Sequence, residues 1–185
     1  MRAWLATSLV ALGAAAAPPP ETVTTCEVCH GKGGNSETAL TPSIAGQPEI
    51  FLTNQLVYFR EGLRNAPVMQ QVAQGMKDAQ ITALARHFAA SPARVLATGK
   101  PDAKSMARGK SLAASMLCGQ CHLPTYRGRE QIPRLAAQRE DYLLVAMKGY
   151  RDNTRTGADT TMAEVLRGVG DADLSALAHF LSRLK

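Results

Sequence analysis

The sequence predicts an all-α chain built as two related halves in tandem. Three observations predict it. No stretch alternates apolar and polar residues long enough to make a half-buried strand. The segment Pro42-Ser43-Ile44-Ala45-Gly46-Gln47-Pro48-Glu49-Ile50-Phe51-Leu52 returns 91 positions later as Pro133-Arg134-Leu135-Ala136-Ala137-Gln138-Arg139-Glu140-Asp141-Tyr142-Leu143. Cys26-Glu27-Val28-Cys29-His30 returns as Cys118-Gly119-Gln120-Cys121-His122, so every cysteine of the chain lies in a duplicated motif.

Residues 1–16 read as an export signal: Arg2 is a positive start, Trp4 to Ala16 is an apolar run, and Ala14-Ala15-Ala16 offers small residues for cleavage. We place the cut after Ala16, because a cut after Ala17 would put Pro18 behind the scissile bond. The run is too short to span a bilayer comfortably. The first domain then covers 17–91, a connector 92–105 and the second domain 106–185. Within the first, Phe51, Gln55, Tyr58 and Phe59 recur at helical spacing, which predicts a helix over Asn54 to Gly62. Its counterpart runs from Glu140 to about Tyr150. The final helices run from Asp78 to Ala90 and from Asp171 to Leu184, each opened by an acidic residue and carrying Leu or Ile at spacings of three and four. Pro92, Gly99 and Pro101 mark the connector.

Of the 185 residues, 45% are hydrophobic and only 5% aromatic, so each core is Ala, Leu and Val with few rings. Halves of that size sit near the lower limit for independent folding, and a large bound ring would help close the gap. The net charge of +6, or +5 once Arg2 is removed with the signal, suits an acidic partner or an anionic surface. No Lys/Arg run is interleaved with aromatics, which excludes a nucleic-acid groove. Gly109-Lys110-Ser111 resembles the end of a phosphate loop, but Lys104 stands where its first glycine is needed.

Cys-x-x-Cys-His is the signature of c-type haem attachment. On a helical turn the two sulfurs, three apart, share a face and can form thioethers with the two haem vinyl groups, with the histidine beneath the iron. A dithiol redox pair or a four-cysteine zinc site leaves the two histidines unexplained. We therefore expect two covalently bound haem c groups, on Cys26 and Cys29 and on Cys118 and Cys121, with His30 and His122 as iron ligands. For the opposite axial position a thioether sulfur suits a carrier of high potential. Met69 and Met162 follow their histidines by 39 and 40 residues and are paired by the duplication. Met76 and Met147 match Val169 and Leu56 and read as core packing. His87 and His179, on the last helices, are the rival bis-His ligands.

Together these motifs resemble class I cytochromes c, and the Gly/Ala-Gln-x-x-x-Tyr/Phe-Leu and Arg-x-x-x-Arg elements ahead of each methionine resemble the dihaem cytochrome c4 family over Thr24 to Leu184. The resemblance implies two class I cytochrome c domains, each wrapped around one haem, with axial ligands His30, Met69, His122 and Met162. It also implies that the carbonyls of Pro42 and Pro133 orient the histidine rings. Two departures stand out: Leu123-Pro124-Thr125-Tyr126-Arg127-Gly128 replaces a glycine-rich loop, and Ala137 replaces Gly46.

Arg60, Arg64, Arg151 and Arg155 are candidates for charge-assisted bonds to haem propionates. The expected function is outer-sphere electron transfer in the periplasm, between a respiratory or dehydrogenase donor and an acceptor such as a terminal oxidase. The protein would be a monomer or weak dimer, with peripheral membrane association open to it. A haem-bearing subunit of a dehydrogenase complex is the alternative, and a peroxidase-type enzyme, which needs an open iron position, a more distant one. Duplication favours a pseudo-two-fold pair of domains.

Overall fold

The computed structural model describes residues 20–155 and 160–185, and the expected export signal lies outside them. Among the described residues nine α-helices follow one another: α1 (Pro20–His30), α2 (Glu49–Arg60), α3 (Pro67–Ala73), α4 (Asp78–Ala90), α5 (Ala103–Ser115), α6 (Cys118–His122), α7 (Glu140–Arg151), α8 (Thr160–Leu166) and α9 (Asp171–Ser182). Among the described residues there is no strand, only a single bridge between Arg129 and Ile132.

Local chemistry sets most boundaries. Pro67 opens α3 at a position where its missing N–H costs nothing. At α4 the Gln80 side chain accepts from the Lys77 backbone N–H at 2.9 Å, and at α5 Asp102 Oδ2 accepts from Ser105 N at 2.7 Å. The final helices begin with Lys77 and Gly170 as caps, so Asp78 and Asp171 lie inside the first turn, where an anion meets the positive helix end. Two expectations shift. Helix α2 starts at Glu49 and not Asn54, directly behind Pro48. Helix α5 starts at Ala103, inside the stretch read as connector, because Asp102 caps it.

Each half has its own core. Leu52, Leu84, Ala85 and Phe88 form the first, with Met76 packed against it; Leu143, Met147, Leu166, Leu174, Leu177 and Phe180 belong to the second. Helices α5 and α9 cross so closely that a Cβ on Gly109 would lie 2.2 Å from the Ala176 carbonyl oxygen.

The halves meet through two buried glutamines in a reciprocal exchange. Gln47 Nε2 donates to Arg134 O at 2.9 Å, and Gln47 Oε1 accepts from Arg134 N at 2.9 Å. Gln138 Nε2 donates to Ser43 O at 2.8 Å, and Gln138 Oε1 accepts from Ser43 N at 2.8 Å. The 91-residue offset converts Gln47 into Gln138 and Ser43 into Arg134, so the contact is isologous, as across a two-fold axis. Leu40 N to Asp141 Oδ2 at 3.0 Å and Phe51 N to Glu130 O at 2.9 Å extend it. Replacing either glutamine by Ala strands a buried N–H and C=O, and is expected to cost about 1–3 kcal/mol for each stranded group; denaturant unfolding of Gln47→Ala and Gln138→Ala checks this.

Candidate functional site

The last turn of α1 and the short α6 carry the two Cys-x-x-Cys-His motifs. Cys26 and Cys118 are half-buried, and burial pushes both thiols up; Cys29 and Cys121 are exposed. None of the four is in a disulfide. His30 and His122 are buried, and each has its Nδ1 2.8 Å from a proline carbonyl, of Pro42 and Pro133 respectively. A carbonyl only accepts, so Nδ1 carries the proton and Nε2 presents its lone pair. Burial, opposed by that hydrogen bond, pushes both rings below the usual histidine range and keeps them neutral.

The loops behind the histidines reach one geometry by two routes. In the first half Gly34 O accepts from Ile44 N and Ala45 N at 2.7 and 3.0 Å; in the second, Tyr126 O accepts from Leu135 N and Ala136 N at 2.8 and 3.0 Å. Gly31, at φ 75, ends α1 where a Cβ would fall 2.1 Å from Asn35 O. Its counterpart Leu123 holds φ 67, ψ 156, a region that costs a side-chain-bearing residue about 1–3 kcal/mol. Ala137 keeps the left-handed backbone of Gly46, at φ 59 against 63, so that substitution leaves the chain path unchanged.

Met69 and Met162 are each the third residue of their short helix, α3 and α8, and both are half-buried. Between α1 and α3 a cleft of about 250 Å³ is lined by Thr22, Thr25, Cys26, Val72 and Met76. The remaining histidines are engaged elsewhere. His87 packs its ring edge-to-face against Phe88, 5.0 Å between centroids. His179 Nε2 accepts from Asp102 N at 3.0 Å while Nδ1 faces Glu140 Oε1 at 3.0 Å, which leaves no lone pair for a metal. The bis-His alternative therefore fails at His179.

The four arginines divide into two pairs. Arg60 Nη1 donates to Met76 O at 2.9 Å and Asp78 Oδ1 at 2.7 Å; Arg151 Nη1 donates to Val169 O at 3.0 Å and Asp171 Oδ1 at 2.6 Å. This pair ties the ends of α2 and α7 to the starts of α4 and α9, with its charge already met by carboxylates. Arg64 and Arg155 instead converge on one phenol: Arg64 Nη2 and Arg155 Nη1 each donate to Tyr142 Oη at 3.1 Å. They stack over Phe59 and Tyr150, with Cζ 4.6 and 4.8 Å from the ring centroids. Burial would raise the Tyr142 phenol, but Arg155 and Arg64 hold it down to about 8. Arg155 Nε is buried without a partner. Two buried guanidiniums and a phenol form a donor-rich, cationic cluster at the domain boundary, which fits the carboxylates that haem brings and does not fit an apolar ligand. Tyr142 escaped the sequence reading; the signal was its alignment with Phe51, an added hydroxyl at a duplicated position.

A cytochrome c family model matches residues 106–185. The chain is 34% identical over 177 residues to the thiosulfate dehydrogenase electron acceptor of Thiomonas intermedia, covering 90% of this chain and 81% of that protein. It is 27% identical over 170 residues to cytochrome c4 of Pseudomonas aeruginosa, covering 86% and 83%. The Acidithiobacillus ferrooxidans cytochrome c4 structure superposes with a TM-score of 0.78 at 28% identity, covering 87% of this chain and 99% of that one.

With both ring nitrogens of His179 engaged, His179→Ala is expected to lower stability by about 1–3 kcal/mol and to leave the visible absorption spectrum unchanged. Thermal unfolding and a spectrum of the same sample check both parts.

Proposed function

The chain belongs to the cytochrome c4 family of dihaem class I cytochromes c, and on that basis we propose that each half holds one covalent haem c and that electrons pass through the protein from a dehydrogenase or respiratory donor to an acceptor such as a terminal oxidase. It is a haem electron-transfer protein, a carrier and not an enzyme. When bound, the haem supplies a one-electron ferrous–ferric couple.

The chain's own residues do the rest. Cys26, Cys29, Cys118 and Cys121 are the thiols that anchor the vinyl groups. His30 and His122 offer Nε2 to iron, held by the Pro42 and Pro133 carbonyls. Met69 and Met162 would offer the iron soft sulfur, which favours its ferrous state and raises the potential. An iron held by one histidine and one methionine would keep no place for a substrate, which separates this reading from a peroxidase. Arg64, Arg155 and Tyr142 supply donors to propionates at the domain boundary, where Arg155 Nε waits without a partner. Arg60 and Arg151 have their carboxylates already and are left out of this role.

The observation that carries the reading is the repetition in both halves of a buried histidine whose Nδ1 is taken and whose Nε2 is free, directly behind a pair of unpaired thiols. The relative from Thiomonas intermedia is named as an electron acceptor of thiosulfate dehydrogenase, which supports a dehydrogenase as donor. Among the described residues no helix is long and apolar enough to cross a membrane, and with the signal-like residues 1–16 this supports an exported, periplasmic protein.

The test is redox titration of the holoprotein with visible detection. Two one-electron waves are expected, and Met69→Ala and Met162→Ala should each lower a different wave and open that iron to added imidazole. Unchanged waves in either variant would remove that methionine as a ligand.

A further inference from the structure

The interdomain contact and the histidine contact share a peptide group. The carbonyl of Pro42 and the N–H of Ser43 belong to one amide: the carbonyl accepts from His30 Nδ1 at 2.8 Å, and the N–H donates to Gln138 Oε1 of the other half at 2.8 Å. The Pro133–Arg134 amide does the same. Its carbonyl accepts from His122 Nδ1 at 2.8 Å and its N–H donates to Gln47 Oε1 at 2.9 Å. His30, Ser43, Gln47, His122 and Gln138 are all at most 7% exposed, so little water competes for these bonds.

An amide whose N–H is donating becomes a better acceptor at its oxygen, because the two bonds polarise the same π system, and the effect is strongest where water is excluded. A better acceptor draws the Nδ1 proton and makes Nε2 a stronger electron donor to a metal. We propose that Gln138 and Gln47 are positioning residues for the iron-binding histidines of the opposite halves, so that each half tunes the other's haem through the shared amide. The coupling is crossed: Gln138 acts on His30 and Gln47 on His122. This rests on the His–Met ligation proposed above, and the two methionine variants separate the readings. If Met69→Ala and Met162→Ala do not each move one wave, the ligand reading fails before the glutamines are tried.

The experiment uses the full holoprotein. Waves are assigned to halves by the two methionine variants, and both potentials are then measured in Gln138→Met and Gln47→Met, which keep the side-chain length and lose the acceptor. Loss of the acceptor weakens the amide oxygen and the histidine's donation, so ferric iron is less favoured and the potential rises. Gln138→Met should raise the wave assigned to the His30 half, and Gln47→Met the wave of the His122 half, with the other wave moving much less in each case. Gln138→Glu keeps an acceptor oxygen and adds charge, so it should lower the wave that Gln138→Met raises, which keeps the test available if the apolar variant does not fold. In the reduced protein the His30 Nδ1–H proton resonance should move upfield in Gln138→Met. A merely loosened interface would move both waves together or neither. Either result, or a shift confined to the half that carries the substitution, overturns the proposal.

Discussion

One amide group on each side of the domain boundary carries the arrangement. The Pro42–Ser43 peptide holds His30 with its oxygen and Gln138 with its nitrogen, and the Pro133–Arg134 peptide holds His122 and Gln47 in the same way. A buried peptide group must satisfy both ends. Here one end is satisfied within the half and the other by the neighbouring half, so domain pairing and ring orientation are one structural event. Opening the interface would take from each of these amide N–H groups its glutamine partner and leave it to water.

Around this shared frame the halves differ in ways that leave it intact. Tyr126 stands where the first half has Gly34, and its carbonyl still receives the two N–H groups that shape the proline loop. A Cβ on Gly34 would strike Phe88, at 2.9 Å; Tyr126 instead sets its ring edge-to-face against Phe180, centroids 5.9 Å apart. Leu123 holds an unfavourable backbone that glycine holds freely in the first half. Its persistence next to His122 means the surrounding bonds, including Gly128 N to His122 O at 3.0 Å, outweigh the cost.

The arginines show how equivalent sequence positions acquire different work. Arg60 and Arg151 reach the first carboxylates of α4 and α9 and are spent on tying helices together. Arg64, four residues after Arg60, crosses to the other half and meets Arg155 at a single hydroxyl, because the duplication supplied Tyr142 on one side and Phe51 on the other. The cluster is two-fold in its cations, while both of its phenols, Tyr142 and Tyr150, come from the second half.

The all-α class, the two-part division, the cysteine and histidine motifs and the pairing of Met69 with Met162 were legible in the sequence, because each is carried by residue type and spacing along the chain. The final helices were read closely from their periodicity; α1, α3, α5 and α8 were not, because short or weakly patterned helices take their stability from packing that no local window contains. The use of both His179 nitrogens, the split between the arginine pairs and the place of Tyr142 depend on residues 13 to 78 positions away, so only the folded chain decided them. The reciprocal glutamine contact belongs to the same class. Gln47 and Gln138 stood in the repeat as matched letters, and closing the two halves face to face turned them into the partners of the amides that hold the opposite histidines, since hydrogen bonding across a boundary is set by distance in space and not by order in the chain.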